Sequence, residues 1–252
     1  MSLEVWNKII KEVSHLDNKH NKLLESFVLN QPDYKSALAN LINESLKGHS
    51  YYHDGLGEII FNALHNDKET LNNSLLDIYA YHERDPACNN LYEAFLFYKG
   101  FKALSLYRIS HYYWVKNDFF TARLLQCIKS DIYSMDIHPA AVLAGGLFID
   151  HGTGIVIGET SKVGKNVSIL HNVTLGGTGK DLVDRHPKIH EGVLLGAGST
   201  VLGNITIGKN SRVGAGSMVL KEVPENVTVI GIPAKISSYN KDAIPAREMN
   251  QV

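Results

Sequence analysis

Two different hydrophobic periods divide the chain near residue 135. Up to about residue 130, apolar residues recur every three or four positions, as in Val5, Ile9, Ile10, Val13 and Leu16. This spacing is typical of amphipathic helices, so it predicts a helical first half. A further helical stretch is predicted over roughly Asp118 to Ile128, and the helical pattern stops between 130 and 135.

A helix start is predicted at Asp85, which Pro86 follows. An aspartate at the N-cap accepts a hydrogen bond from a free helical N–H, and proline fits the first turn because its missing N–H is not needed there. The long helix predicted from this start carries four aromatic or imidazole side chains, those of Tyr92, Phe97, Tyr107 and His111.

From about residue 137 the hydrophobic period becomes six. The fourteen positions on this period are all Ile, Leu or Val, in three runs: Ile137, Leu143, Ile149, Ile155; Ile157, Val163, Ile169, Leu175; and Ile189, Leu195, Val201, Ile207, Val213, Val219. A hexad of this kind forms one short strand and one corner, so three hexads, about 18 residues, complete a coil of a triangular prism. The aliphatic side chain of each hexad then points into the prism.

These two patterns predict an α+β protein with three parts. An N-terminal all-helical domain covers 1–135, a left-handed parallel β-helix of hexapeptide repeats forms the catalytic domain over 136–236, and a polar C-terminal tail covers 237–252. The step of fourteen positions from Leu175 to Ile189 exceeds two hexads by two, which predicts a loop insertion over 176–188. A sandwich or barrel is disfavoured because alternation at period two and hairpin turn pairs are missing.

The charge balance excludes some classes of function. With 25 basic and 26 acidic residues the formal net charge is −1, whereas nucleic-acid and anionic-membrane binders need an excess of Lys and Arg. No apolar run approaches the ~20 residues that a bilayer requires, and the first twenty residues lack the apolar core of a secretion signal. The two cysteines, Cys88 and Cys127, have no metal-binding spacing, so a cytoplasmic location is expected.

His151 is the first candidate for chemistry. It lies near a predicted corner, between Asp150 and a flexible Gly-Thr-Gly segment, so its side chain is expected to point outward. Histidine titrates near neutral pH and suits general-base removal of a hydroxyl proton, with a carboxylate to fix its tautomer. Asp136 lies fifteen residues earlier, close to one coil, which predicts an Asp136–His151 pair. Each residue alone is more simply a solvated corner histidine or a turn-forming aspartate.

The predicted loop contains a second candidate, Asp184-Arg185-His186-Pro187. A guanidinium group there suits two-pronged contact with a carboxylate, although a charged loop with a rigid proline explains the motif equally well. The glycine-rich run over 176–180 lacks the spacing of a phosphate-binding P-loop, which is therefore rejected.

Together these motifs resemble the serine O-acetyltransferases of cysteine synthesis. The resemblance spans roughly residues 75 to 235 and is carried by Asp85-Pro86-Ala87, Asp136-Ile137-His138-Pro139-Ala140-Ala141, Asp150-His151, Gly158-Glu159-Thr160, Val173 to Lys180, Asp184 to Ile189, and Gly231-Ile232-Pro233-Ala234. The hexad repeat is shared by many acyltransferases, whereas the Asp-His and Asp-Arg-His-Pro elements at this separation are far more specific.

The resemblance implies an activity and a set of roles. Acetyl-coenzyme A donates its acetyl group to the hydroxyl of L-serine, with no metal and no permanently bound cofactor. His151 is the base and Asp136 its partner. Substrate binding is implied for Asp85, Asp150, Arg185 and His186. Acetyl-coenzyme A is expected in a groove between neighbouring prisms, where its arm would meet Gly177, Thr178, Ala197 and Ala215 and its phosphates Lys221 and Lys235.

Partners are also implied by the resemblance. Such enzymes form homotrimers or dimers of trimers, are inhibited by L-cysteine, and insert a C-terminal isoleucine into O-acetylserine sulfhydrylase. This chain ends in Gln251-Val252 instead, where valine is a shortened analogue of isoleucine.

Three alternatives stay open at this point. A hexapeptide acetyltransferase with another acceptor is the nearest, although Arg185 with Asp85 favours an amino acid. A metal enzyme of the carbonic-anhydrase type would use histidines such as His186 and His190. A noncatalytic scaffold would give the His and Asp cluster no purpose.

Overall fold

A computed structural model describes residues 2–179, 183–240 and 243–251. Three residues of the predicted loop, Lys180, Asp181 and Leu182, and the chain-terminal Val252 lie outside the described residues. The helical half consists of α1 (Ser2–Val13), α2 (Asn21–Leu24), α3 (Tyr34–Leu46), α4 (Gly55–Asn66), α5 (Lys68–Arg84), α6 (Leu91–Phe97), α7 (Lys99–Val115) and α8 (Phe119–Tyr133), with a 3-10 turn at Asn18–His20 and a π-helical turn at Glu25–Leu29.

The predicted helix start at Asp85 is wrong. Asp85 follows the last residue of α5 and is extended, and its carboxylate accepts a hydrogen bond from the Ala87 amide at 2.8 Å. The single long helix expected after it is two helices, because Tyr98 interrupts them with extended dihedral angles. The helix predicted over Asp118–Ile128 is confirmed as α8, which runs on to Tyr133.

Fifteen short strands follow the helices. They are β1 (Met135–Ile137), β2 (Val142–Leu143), β3 (Phe148–Ile149), β4 (Ile155–Ile157), β5 (Lys162–Val163), β6 (Ser168–Ile169), β7 (Thr174–Gly176), β8 (Lys188–Ile189), β9 (Leu194–Leu195), β10 (Thr200–Leu202), β11 (Thr206–Ile207), β12 (Arg212–Val213), β13 (Met218–Val219), β14 (Val227–Gly231) and β15 (Ala234–Tyr239).

The strands form the three sides of a parallel β-helix. The first sheet contains β1, β4, β7, β10 and β13; the second contains β2, β5, β8 and β11; the third contains β3, β6, β9, β12 and β14, with β15 antiparallel at its edge. We call the turns from first to second sheet the first corner, and those from third back to first sheet the third corner. This arrangement confirms the predicted helical region followed by a β-helix.

The hexad residues form the core of the prism. All fourteen are at most 5% exposed. Hexad residues of adjacent coils pair in the strand register and stack in columns along the prism axis, for example Ile149 with Ile169. Burial of these side chains supplies the main stabilisation, at about 25 cal/mol for each Å² of apolar surface removed from water.

A buried ion pair joins the two halves. Arg108 on α7 donates to the Asp77 carboxylate of α5 at 2.6 Å and to the backbone oxygens of Leu143 and Ala144 at 3.1 and 2.8 Å. The other oxygen of Asp77 accepts from the Leu147 amide at 2.9 Å. The helices therefore satisfy backbone groups at the first coil, which would otherwise be an open end of the β-helix.

The end of the chain folds back onto the third sheet. Strand β15 extends to Tyr239, three residues into the predicted tail, and pairs with β14. A short helix, α9 (Pro245–Glu248), then lies against the sheet, where the Ser168 hydroxyl donates to the Ala246 oxygen at 2.6 Å. In the described part of the chain, no helix combines the length and apolar character needed to cross a membrane.

Candidate active site

The third corner places His151 at the foot of a column of residues. Strand register pairs Ile149 with Ile169, Ile169 with Leu195 and Leu195 with Val213. The residues two positions later are therefore His151, His171, Ala197 and Ala215, one above another. The ring centroids of His151 and His171 are 5.7 Å apart. Two of the residues predicted to contact acetyl-coenzyme A thus lie in the same column as the predicted base.

The backbone at His151 is unusual. Its φ is +54°, in the left-handed region, and Gly152 and Gly154 also have positive φ. Every other described non-glycine residue with positive φ between 135 and 240 is an asparagine, which tolerates that region better. This conformation turns the imidazole outward, so that 73% of the side chain is exposed. A substrate can therefore reach it.

Two carboxylates accompany His151. Asp150 Oδ1 lies 3.7 Å from His151 Nε2, and burial raises the pKa of Asp150, with a further rise from the nearby Asp85. Tyr98 hydrogen-bonds to Asp85, and burial together with that carboxylate raises the pKa of the Tyr98 hydroxyl. Two adjacent carboxylates of this kind favour a cation between them.

A cavity of about 750 Å³ contains this group. Its walls include Asp85, Asp150 and His151, and also Lys99, Leu170 and Gln251. The volume and the mixture of apolar and ionisable walls are typical of a small-molecule site.

Arg185 and His186 lie at the first corner, across the first sheet from His151. They contact the corner residues that follow β4: Arg185 donates to the Glu159 carboxylate at 2.6 Å, and the Arg185 and His186 amides both donate to the Thr160 hydroxyl at 3.0 Å. Desolvation, and then the positive charge of Arg185, lowers the pKa of His186. His151 precedes β4, whereas Glu159 and Thr160, which hold Arg185 and His186, follow it. One chain therefore does not bring His151 together with Arg185 and His186.

Asp136 does not contact His151 among the described residues. It is exposed on β1, in register with Val156, and its carboxylate accepts a hydrogen bond from Gln126 at 2.7 Å. Val156 is five positions beyond His151, on the face of the first sheet. Among the described residues, the carboxylate that pairs with the His151 ring is that of Asp150.

The remaining predicted contacts of acetyl-coenzyme A divide between the two corners. At the first corner, the strand register stacks Gly177, Gly203 and Lys221 one above another. The Thr178 side chain lies next to the position that a Cβ on Gly203 would occupy. Lys235 is opposite Ile230 on the hairpin above the third corner. In that corner, Gln251 accepts hydrogen bonds from the Ala197 and Ala215 amides at 3.0 and 3.4 Å.

Sequence reasoning assigned no role to four residues at the site. Glu159 and Thr160 hold Arg185 and His186, Tyr98 holds Asp85, and His171 lies above His151. His171 could have been found by placing the histidines on the hexad columns. The other three are recognised only through long-range contacts, which no local pattern signals.

Comparisons with known proteins agree with this geometry. The family model "Serine acetyltransferase, N-terminal" matches residues 5–105, and that for the bacterial transferase hexapeptide matches 186–221. A serine acetyltransferase of Haemophilus influenzae is 43% identical, over all of this chain and 95% of its own length. The chain belongs to the serine acetyltransferase family.

Solved serine acetyltransferases share the whole fold. The Vibrio cholerae enzyme is 37% identical with a TM-score of 0.96, over 100% of this chain and 99% of its own. A second, in complex with cysteine, is 42% identical with a TM-score of 0.95, over 100% and 99%. A third, from Brucella abortus in complex with coenzyme A, is 43% identical with a TM-score of 0.89, over 94% and 96%. As a serine acetyltransferase the chain is an acyltransferase with acetyl-coenzyme A as co-substrate.

Proposed function

We propose that the chain acetylates the hydroxyl of L-serine with His151 as general base. The observation that carries this proposal is the exposed His151 imidazole, next to the Asp85 and Asp150 carboxylates and in one column with Ala197 and Ala215. The column offers backbone amides and small side chains to the arm of coenzyme A. The carboxylates offer a place for the serine ammonium group, so that its hydroxyl faces the imidazole.

The carboxylate of serine needs a cationic or N–H partner, and Arg185 and His186 are the candidates. Within one chain they lie at the opposite edge of the first sheet from His151. The outward residues of that sheet after Asp136 are uncharged: Val156, Thr174, Thr200 and Met218. An uncharged face suits contact between copies. We therefore assign the complete site to a homotrimer, or a dimer of trimers, in which the first corner of one copy meets the third corner of the next.

This arrangement also gives Asp136 its predicted role. Exposed on the same face, it is available to His151 of the adjacent copy, where a carboxylate would fix the tautomer and stabilise the imidazolium. Lys221 with Gly177 and Thr178 would reach coenzyme A from the first-corner side, while Lys235 would reach it from the third-corner side.

The reaction then follows directly. His151 removes the hydroxyl proton as the serine oxygen attacks the thioester carbonyl carbon, and a C–O bond forms. The tetrahedral intermediate collapses, the C–S bond breaks, and the imidazolium returns the proton to the departing sulfur, giving coenzyme A thiol. General-base catalysis contributes about 10²- to 10⁴-fold, so the positioning of two substrates must contribute much of the remainder.

Release of coenzyme A thiol tests the acceptor. The purified chain is incubated with acetyl-coenzyme A and L-serine, homoserine, threonine or a sugar amine. Serine is expected to give the highest kcat/KM. A sugar amine preferred over serine would overturn the proposal and favour the other hexapeptide acetyltransferases. The carbonic-anhydrase alternative is not favoured, because the relatives and solved structures that match the whole chain are serine acetyltransferases.

Subunit complementation tests the shared site. His151→Ala and Arg185→Ala chains are each expected to be nearly inactive. Co-expressed, they form mixed trimers in which some interfaces contain an intact histidine and an intact arginine, and activity is expected to return. Mixed trimers that stay as inactive as either parent would place the whole site in one chain.

One further partner and the location also remain proposals. Binding to O-acetylserine sulfhydrylase requires the C-terminal segment to leave the third sheet, since 243–251 packs against it through Ala246 and Gln251. The cytoplasmic location rests on the sequence argument from Cys88 and Cys127.

A further inference from the structure

The first corner holds the His186 imidazole through one nitrogen. The Thr160 backbone N–H donates to His186 Nδ1 at 3.2 Å, and the Thr160 hydroxyl lies 2.9 Å from the same nitrogen. The side chain is buried, with 8% of the residue exposed. In the described part of the chain, the ring therefore makes its hydrogen bonds through Nδ1.

The direction of the hydroxyl bond follows from the other bonds of Thr160. Its Oγ1 already accepts two backbone N–H groups, from Arg185 and His186, both at 3.0 Å. A hydroxyl oxygen has two lone pairs and one proton, so the proton remains to be donated, to His186 Nδ1 at 2.9 Å or to the Asp184 carboxylate, which also interacts with this hydroxyl. In both cases the Thr160 backbone N–H donates to Nδ1, so Nδ1 must carry a lone pair.

A lone pair on Nδ1 fixes the protonation of the ring. Neutral imidazole has one N–H, so that hydrogen is on Nε2. Gly158 leaves the space for this part of the ring, because a Cβ there would overlap His186 Cδ2 and Nε2. The Glu159 carboxylate holds the Arg185 guanidinium on the same corner.

We infer that Thr160 is a positioning residue that fixes His186 as a neutral Nε2–H donor to the carboxylate of the acceptor amino acid. This inference rests on the proposed function, because it gives His186 the carboxylate-binding role. It adds the tautomer, and it adds a threonine that acts on the substrate through His186. Together, one N–H of His186 and the guanidinium of Arg185 recognise the carboxylate without a second full positive charge.

Thr160→Val tests the inference because valine keeps the shape of threonine and removes the hydroxyl. The expected result is a roughly 10-fold increase in the KM for serine, because a ring that is no longer held weakens its hydrogen bond to the charged carboxylate, with kcat and the KM for acetyl-coenzyme A changed by less than about 3-fold. Thr160→Ser keeps the hydroxyl and is expected to behave like the wild type. Thr206→Val, on the second sheet, is the control for replacing a threonine by valine away from the site, and its KM for serine is expected to equal the wild-type value.

A double-mutant cycle separates positioning from a general structural effect. If Thr160 acts through the His186 ring, Thr160→Val has little effect in a His186→Gln chain. An equal loss from Thr160→Val in both backgrounds, an equal rise in the KM for acetyl-coenzyme A, or an unchanged KM for serine would overturn the inference.

A second comparison does not depend on Thr160→Val folding. Glutamine places its amide nitrogen near the position of histidine Nε2, and asparagine near that of Nδ1. His186→Gln is therefore expected to retain at least 10-fold more kcat/KM for serine than His186→Asn, and the reverse order would contradict the tautomer. Failure of the wild type to acetylate serine would instead overturn the proposed function, so the two failures are distinguishable.

Discussion

Asp150 Oδ1 lies 3.7 Å from Nε2 of His151, and the charge of the nearby Asp85 raises the pKa of the same carboxylate. Asp150 thus has two neighbours with opposite effects on its pKa. The imidazole favours its ionised form, whereas burial and Asp85 favour its protonated form. A substrate ammonium between the two carboxylates would relieve their repulsion.

Substitution of Asp150 by asparagine is expected to raise the KM for serine at least 10-fold at pH 7.5, because the charge that holds the ammonium group is lost. Burial raises the pKa of Asp150, so in the wild type serine binding weakens as the pH falls toward that raised pKa, at a higher pH than for an ordinary aspartate. Steady-state kinetics between pH 5 and 8 measure both effects. A serine KM in Asp150→Asn that equals the wild-type value would rule out this role.

The C-terminal segment occupies part of the third-corner column. Gln251 accepts hydrogen bonds from the Ala197 and Ala215 amides, which are the groups proposed to meet the arm of coenzyme A. Removal of residues 243–252 is therefore expected to lower the KM for acetyl-coenzyme A severalfold and to leave kcat similar. Gln251→Ala removes only the side-chain bond and should give a smaller change in the same direction. An increased KM in the truncated chain would show that the segment contributes to the binding site.

Lys129 is a buried amine at the first coil. It donates to the Ile137 carbonyl at 2.7 Å, and burial lowers its pKa to about 7. The unfolded chain binds a proton more tightly between pH 7 and 10.5, so the wild type gains stability as the pH rises through that window. At pH 6 the fully protonated amine must be buried.

Replacement of Lys129 by methionine is expected to raise the free energy of unfolding at pH 6 by about 1–4 kcal/mol, because a poorly solvated charge is removed. The gain should shrink as the pH rises from 7 toward 10.5, the ordinary pKa of lysine, above which the wild-type amine is neutral in both states. Urea unfolding at several pH values measures this. A loss of stability that is the same at pH 6 and pH 9 would contradict a buried, titrating amine.

Sequence determined more of the prism than of the site. The period of six identified all fourteen core positions because each coil repeats the same inward residue. The signal at Asp85 was misinterpreted because Asp-Pro also occurs after a helix, and α5 ends at Arg84. The roles of Thr160 and Glu159 depend on contacts with a loop about 25 residues away, so no local pattern contained them.

The same contrast applies to Asp136 and His151. Their spacing of fifteen residues indicated neighbouring coils, whereas the register pairs Asp136 with Val156, five positions beyond His151. A coil count predicts proximity along the axis of the prism. It does not predict on which side of a corner a side chain lies, and that depends on the backbone at His151.

His151→Ala tests the central claim most directly. The variant should form the same oligomer as the wild type and keep its unfolding midpoint, because the side chain is exposed. Its kcat for release of coenzyme A with serine is expected to fall by about 10²- to 10⁴-fold, the contribution of a general base. A kcat within about 3-fold of the wild type, in a folded protein, would show that His151 is not the base.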